Sequence, residues 1–252
     1  MNNYRLKILN MAYAAKEGHI ASSLSILDIL YVLYHKILNI ENIKNLKPDR
    51  DRFVLSKGHA SLALYVILNS VGLIDNDIIK NYCCFDGLIG GHPKRNSLLG
   101  IEASTGSLGH GLPISVGIAL GYKIKGYTSR IYTLIGDGEL NEGSMWESLL
   151  LANHHKLNNL TIIVDYNHSG DRALKYNELN SQFKSFGCYC FSINGHNHYT
   201  IENALKEKSD RPLVIIANTI KGYGVKRMEN NPEWHHRQPS NLEFEEITKE
   251  LK

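Results

Sequence analysis

The chain has 252 residues, of which 43% are hydrophobic and 21% are charged. This size suits one large α/β domain and leaves little room for a second core, so we expect residues 1–252 to form a single domain. The formal net charge is only +3, and the lysines and arginines are scattered along the chain instead of forming a stripe. This pattern disfavours a nucleic-acid partner.

Neither an export signal nor a membrane span is expected. The first apolar segment contains charges, whereas a secretory signal has a continuous apolar centre. The most apolar stretch, residues 29–34, is far shorter than the roughly 20 residues that a bilayer requires.

The four cysteines fit neither a zinc site nor a disulfide framework: Cys83, Cys84, Cys188 and Cys190. We therefore expect a reducing cytoplasm, and buried packing for Cys188 and Cys190 on one strand face.

Helical patterns and short β-branched runs alternate along the chain, which predicts an α/β fold with a parallel sheet. The predicted helices comprise residues 6–16, 24–38, 61–71, 144–154 and 201–208. The predicted strands comprise residues 131–135, 160–164, 188–193 and 213–217. Right-handed crossovers between such strands would place a ligand site at their carboxyl ends.

Two polar motifs follow neighbouring predicted strands. Gly136-Asp137-Gly138 comes directly after the first, and Asn167 comes shortly after the second. Parallel pairing would bring the Asp137 carboxylate close to the Asn167 amide oxygen, and these hard ligands suit Mg²⁺ or Ca²⁺ with positions left for a diphosphate. Taken alone, Gly-Asp-Gly is more typical of an ordinary turn.

The pair of motifs, thirty positions apart (167 minus 137), resembles the fingerprint of thiamine diphosphate enzymes. Further motifs are similar in order to those of transketolases: Gly18-His19-Ile20, Leu55-Ser56-Lys57-Gly58-His59-Ala60, Gly91-His92-Pro93, Thr105-Gly106-Ser107-Leu108-Gly109-His110-Gly111 and Trp234-His235. The resemblance covers about residues 4–240. It implies a three-layer thiamine diphosphate-binding fold with a mostly parallel central sheet flanked by helices.

The resemblance assigns roles in binding the metal and the cofactor. It implies that Asp137, Asn167 and the backbone carbonyl of Ser169 hold the metal, and that the Gly138 amide contacts the diphosphate. The aminopyrimidine would be contacted by main-chain atoms of two further residues, Gly106 and Leu108.

The resemblance also assigns catalytic work to four histidines. His59 and His235 would lie beside the diphosphate, whereas His19 and His92 would face the sugar. Imidazole suits binding of hydroxyl groups and proton transfer because its pKa lies near neutral pH. The remaining histidines considered match no motif and are expected to be structural, namely His35, His154, His155 and His198; the role of His196 is open.

Glu142 and Glu147 lie around the start of the helix that follows the metal motif. The positive end of the helix dipole favours carboxylates there, so helix capping alone explains them. The resemblance instead implies that they link two cofactor sites across a subunit interface, and it predicts that both are buried.

The implied activity is the transfer of a two-carbon ketol unit from a ketose donor to an aldose acceptor. The pyrimidine-binding domain and its activating glutamate are not found among these residues, so we expect a separate carboxy-terminal subunit, with two copies of each chain in the assembly. The alternatives are an enzyme like 1-deoxyxylulose-5-phosphate synthase and a non-catalytic cofactor-binding remnant. A nicotinamide site, a Walker loop and a hydrolase elbow are disfavoured because their glycine motifs are absent.

Overall fold

A five-stranded sheet forms the centre of the protein in a computed structural model that describes all residues, 1–252. All the strands are parallel, in the order β1-β2-β3-β5-β4. Their bounds are β1 Arg52–Leu55, β2 Ile131–Gly136, β3 Leu160–Tyr166, β4 Tyr189–Asn194 and β5 Leu213–Asn218. The central strands β2, β3 and β5 are buried over nearly their whole length, as expected when helices cover both faces of a parallel sheet.

Ten α-helices surround the sheet. Their bounds are α1 Asn2–Ala15, α2 Ile20–Val32, α3 Ile40–Lys44, α4 Ser61–Ser70, α5 Asn76–Lys80, α6 Gly111–Ile124, α7 Gly143–His154, α8 Leu179–Ser185, α9 His198–Lys206 and α10 Asn241–Leu251. The larger core lies between the sheet and α1, α2, α4, α9 and α10. A smaller core lies between the opposite face and α6, α7 and α8. The chain therefore has three layers.

The alternation of side chains along each strand supplies both cores. In β2, Tyr132 and Leu134 belong to the larger core, whereas Ile131 and Ile135 belong to the smaller one. Successive strand residues point to opposite faces of a sheet. A nearly continuous apolar sequence is therefore needed in each central strand.

Helix α2 continues through a π-helical turn, Leu33–Ile37, to give 18 helical residues from Ile20 with a mean hydropathy of 1.3. By length and composition alone this segment is long and apolar enough to cross a membrane. However, 78% of it is buried inside the fold, where it contributes to the larger core. The segment is longer than the apolar stretch of residues 29–34 that the sequence analysis gave. Its burial is that of a core helix.

The predicted α/β class and parallel sheet are confirmed, and each of the four predicted strands agrees with a real one to within one or two residues. The short strand β1 was not predicted; it has four residues and begins with Arg52. Helix α6 was also missed, because its glycines and Pro113 lower its helix propensity. Cys188 and Cys190 are buried as predicted, and burial raises the pKa of both thiols to about 12.

Candidate functional site

A polar cavity of about 770 Å³ lies at the carboxyl ends of the strands, and only one of its lining residues is hydrophobic. It is lined by nearly all the residues that the sequence predicted for the site: His19, His59, His92, Gly106, Leu108, Asp137, Gly138, Asn167, Ser169 and His235. The parallel sheet explains this convergence, since the loops that follow adjacent strands emerge at the same edge.

The Asp137 carboxylate is buried beside the cavity with one oxygen unsatisfied. Its Oδ1 accepts a hydrogen bond of 2.8 Å from the Gly138 amide, while its Oδ2 is buried without any hydrogen-bond partner. Burial raises the pKa of Asp137, and the nearby Asp165 charge raises it further. A buried carboxylate oxygen without a partner is costly. A divalent cation would offset both the charge and the missing hydrogen bond, so Asp137 is suited to be a metal ligand.

Asn167 offers a second oxygen on the neighbouring strand. Its amide nitrogen donates to Asp165 Oδ2 (2.8 Å) and to Ser25 Oγ (3.1 Å), which fixes the orientation of the side-chain amide. The oxygen therefore lies on the other side of the amide, where it accepts from the Ser169 amide at 3.1 Å. Gly136 and Asp165 are paired across β2 and β3, so Asp137 and Asn167 leave the sheet side by side.

Below the cavity lies a buried ion pair between Lys57 and Asp165. These side chains are 2% and 0% exposed. Asp165 also accepts hydrogen bonds from Ser25 (2.7 Å), from Thr219 and from Asn167. The pair thus joins the loop after β1 to α2, to β3 and to the segment after β5. Sequence reasoning gave Lys57 only a place in a motif and did not identify this partner.

The four predicted histidines form one cluster on the cavity wall. The ring centroid of His19 lies 5.1 Å from that of His59, 5.6 Å from His235 and 6.3 Å from His92. Burial lowers the pKa of His59 to about 2, with a further contribution from the Lys57 charge. Burial and neighbouring imidazoles lower the pKa of His19 to about 4. Both rings are therefore neutral at pH 7 and can accept a hydrogen bond, but in the empty cavity they are weaker bases than a free imidazole.

A second lysine of the cavity, Lys221, was missed by the sequence analysis. Its Nζ lies 2.7 Å from Nδ1 of His235. Burial lowers the pKa of Lys221 to about 8, and the positive charge of Lys57 contributes. Arg172 lies on the same cavity, so Lys221 and Arg172 are two cationic side chains that have no carboxylate salt-bridge partner and could bind an anion. Lys221 lies three residues beyond the end of β5 (221 minus 218). Residues that follow the carboxyl ends of parallel strands are expected to line the ligand site, and this expectation applies to Lys221 as it does to Asp137.

Glu139 joins the turn after β2 to the glycine-rich loop, residues 105–111. Its buried carboxylate accepts hydrogen bonds from Ser56 Oγ (2.6 Å), the Gly109 amide (3.0 Å) and the Gly136 amide (2.9 Å). The loop and the turn are therefore fixed to each other. Glu139 directly follows the Gly136-Asp137-Gly138 motif, but the sequence did not reveal its contacts.

The glycine-rich loop packs directly against His92. Gly106 has φ +151°, and a Cβ placed there would lie 2.9 Å from Cδ2 of His92. Any side chain at position 106 would therefore displace this histidine.

Glu142 and Glu147 are not buried within the single chain. Glu142 is half-buried just before α7, Glu147 is exposed, and neither lines the cavity. No side-chain partner of either carboxylate is present in the chain. Glu142 caps the start of α7 and Glu147 lies within that helix. Their burial at a subunit interface stays a prediction.

His196, whose role was open, supports the Lys221 segment. Its Nε2 accepts from the Ile220 amide (2.9 Å), and its Nδ1 lies 3.1 Å from Asp28 Oδ2. His198 contacts the other oxygen of Asp28 at 2.8 Å. Burial alone would raise the pKa of Asp28, but the hydrogen bonds from these two histidines lower it. None of His35, His154, His155, His196 and His198 lines the cavity.

Comparisons with known proteins agree with this geometry. The family described as "Transketolase, thiamine diphosphate binding domain" matches residues 1–251. One subunit of the apulose-4-phosphate transketolase of Actinobacillus succinogenes is 38% identical, over 98% of this chain and 92% of that protein. The protein of the same name from Phocaeicola vulgatus is 35% identical, over 98% of this chain and 90% of that protein.

Longer proteins are also similar. The transketolase of Homo sapiens is 33% identical over 99% of this chain. The crystal structure of the Campylobacter jejuni transketolase superposes with a TM-score of 0.89 at 35% identity and covers 100% of this chain. The chain spans about 41% of each of these two proteins. It is therefore similar to one part of them.

Removing the carboxylate of the buried ion pair should destabilise the chain strongly. Asp165→Asn leaves the Lys57 ammonium buried without a counter-charge, and we expect a loss of about 3–5 kcal/mol in the free energy of unfolding by urea. Adding Lys57→Met to this variant should recover part of the loss because it removes the unpaired charge. Asp77→Asn, which breaks the exposed pair with Lys80, is the matched control and should have little effect. An Asp165→Asn chain as stable as the control would contradict the structural role of the pair.

Proposed function

Because the chain belongs to the transketolase family, we propose that it is the metal- and diphosphate-binding subunit of a thiamine diphosphate-dependent transketolase. The observation that carries the proposal is that the unpartnered Asp137 oxygen and the Asn167 amide oxygen share one cavity with the cationic side chains Lys221 and Arg172. Under this proposal residues 1–252 are one diphosphate-binding domain.

The polar groups of the cavity suit the two parts of a metal diphosphate. Asp137, Asn167 and the carbonyl of Ser169 would hold Mg²⁺ or Ca²⁺, since these ions prefer oxygen ligands. Lys221 and Arg172 line the same cavity and would supply positive charge for the diphosphate. Bound there, thiamine diphosphate supplies the electron sink for carbon–carbon bond cleavage.

The protein's histidines would supply binding and proton transfer at the sugar. His19 and His92 belong to the same cluster, and the pKa of His19 is low enough to keep the ring neutral at pH 7. A neutral imidazole can accept a hydrogen bond from a sugar hydroxyl, and it would move a proton efficiently once a bound anionic substrate raised its pKa towards neutral pH. His59 and His235 lie nearer the lysines, where they would donate to the diphosphate in the appropriate tautomer.

A second chain would complete the site. Gly106 and Leu108 lie at the cavity, and the Leu108 side chain is 39% exposed. The relatives of nearly equal length are each named as one subunit of a transketolase, which supports a separate carboxy-terminal subunit that holds the pyrimidine and supplies the glutamate. We propose two copies of each chain in a cytoplasmic assembly, with Glu142 and Glu147 near the central interface. A sugar phosphate like the one named for those relatives is the first donor to assay.

Loss of the metal ligand should abolish cofactor binding without unfolding the chain. In the assembled enzyme we expect Asp137→Ala to bind thiamine diphosphate at least a hundredfold more weakly in calorimetry with Mg²⁺, because an oxygen ligand of the bridging ion is lost. Removal of the metal from the unmodified enzyme by a chelator should have a similar effect. Asp77→Ala, on the exposed surface, serves as the control. Unchanged affinity in a folded Asp137→Ala enzyme would refute the metal assignment.

Cofactor affinity should fall at high pH through Lys221. The pKa of this lysine is about 8 in the chain, and a bound anion would raise it. Affinity should therefore be nearly constant up to about pH 7, fall by roughly twofold by pH 8, and then fall by up to about tenfold per pH unit. Lys221→Arg keeps its charge over this range and should remove the decline. Calorimetric titrations from pH 7 to 9.5 test this, and an identical decline in both proteins would rule out Lys221 as its source.

The purified chain should have no ketol-transfer activity until it is mixed with a carboxy-terminal subunit encoded nearby. Light scattering should show the larger assembly, and a coupled assay should show the rate that appears with a ketose phosphate donor. Activity with pyruvate instead would indicate the synthase alternative. An assembled enzyme without turnover would indicate a binding remnant, and robust turnover by the chain alone would refute the need for a partner.

A further inference from the structure

A second group of metal-ligand side chains lies at the edge of the cavity, apart from Asp137 and Asn167. One ligand atom from each of Glu17, His19 and His236 lies within 4.8 Å of the other two. The Nε2 of His236 is 3.0 Å from Oε1 of Glu17, and the rings of His19 and His236 are 4.4 Å apart. Glu17 and His19 are half-buried, while His236 is exposed. The group is therefore open to an ion from solvent.

The backbone fixes the two segments that carry these ligands. The Arg237 amide donates to the Gly18 carbonyl at 3.1 Å. A Cβ on Gly18 would lie 2.8 Å from the Arg237 carbonyl oxygen, so this close approach requires glycine. The Arg237 guanidinium is held by Glu243 at 2.7 and 2.8 Å and lies over the Trp234 ring. The segments therefore have a defined relative position before any ion binds.

We propose that Glu17, His19 and His236 form a site for a divalent transition-metal ion of the Zn²⁺ type. Zinc binds imidazole nitrogen and carboxylate oxygen at about 2 Å, so tetrahedral ligands lie roughly 3.3 Å apart. The observed separations need only small side-chain rotations to reach this value. Three protein ligands leave one coordination position open for water or for a hydroxyl group.

The two metal sites differ in chemistry. Imidazole ligands favour Zn²⁺, Cu²⁺ and Ni²⁺, whereas the oxygen ligands Asp137 and Asn167 suit Mg²⁺ and Ca²⁺. Excess Mg²⁺ should therefore fill the Asp137 site and leave the site of Glu17, His19 and His236 available to zinc.

Zinc at this site would occupy one ring nitrogen of His19 and so withdraw that nitrogen from the substrate. His19 lines the cavity, and a nitrogen that ligates zinc cannot bind a sugar hydroxyl or carry a proton. This consequence depends on the proposed transketolase function, whereas the binding of zinc does not. The site would thus make ketol transfer sensitive to zinc while the cofactor stays bound.

Calorimetric titration of the untagged chain with zinc chloride in excess Mg²⁺ tests the site itself. We expect the tightest zinc-binding step to weaken at least tenfold in His236→Ala and in Glu17→Gln. His154→Ala removes an exposed histidine outside the cavity, and it should leave that step unchanged. Asp137→Ala should also leave it unchanged. If His236→Ala binds zinc as tightly as the unmodified chain does, or if Asp137→Ala alone removes the step, the site is wrong.

Zinc titration of the assembled, cofactor-saturated enzyme tests the consequence. Each rate is divided by the rate of the same protein without zinc, so that a change in basal activity does not affect the comparison between variants. We expect half-inhibition of the unmodified enzyme and of His154→Ala at the same zinc concentration, and at least tenfold more zinc for His236→Ala. Equal sensitivity of all three would overturn the inhibitory role. An enzyme without turnover would count against the proposed function, while calorimetry would still decide the zinc site.

Discussion

The buried ion pair of Lys57 and Asp165 is the constraint on which the geometry of the site depends. Transferring two charges out of water is costly, and the cost is offset only if each charge meets the other in good geometry and the remaining lone pairs accept hydrogen bonds. Ser25, Thr219 and Asn167 supply those hydrogen bonds. Three separate segments must therefore meet at the end of β3. Once they do, the Asn167 amide has one orientation and its oxygen is placed for a ligand.

Carboxylates and lysines lie together around this centre. Asp137 experiences burial and the charge of Asp165, which raise its pKa. Lys221 experiences burial and the charge of Lys57, which lower its pKa. Each group is thus less stable as an ion than it would be in water, and each would be stabilised by a ligand of opposite charge. A cation bound to a diphosphate provides both charges in one molecule.

The sequence predicted the family, the parallel sheet and the residues of the cavity because those signals are local. Asp137 and Asn167 follow short apolar runs. Because the carboxyl ends of neighbouring parallel strands meet at one edge of the sheet, the two residues are expected to lie close together. The ion pair was not predictable in this way, since Lys57 and Asp165 are 108 positions apart and their contact depends on the packing of α2. The exposure of Glu147 was missed for a related reason: the family resemblance describes its surroundings in an assembly, whereas the chain alone leaves it on the surface of α7.

The contacts of Glu139 limit how this protein can be recombined with its relatives. Three stretches of chain meet at one carboxylate through Ser56, Gly109 and Gly136. A chimera that exchanged only one of these stretches would have to preserve the shape and hydrogen bonding of the other two around a side chain with almost no free space. A functional chimera should therefore take all three segments from the same parent: the end of β1, the glycine-rich loop and the turn after β2. These segments are dispersed over more than eighty positions of the sequence (139 minus 56).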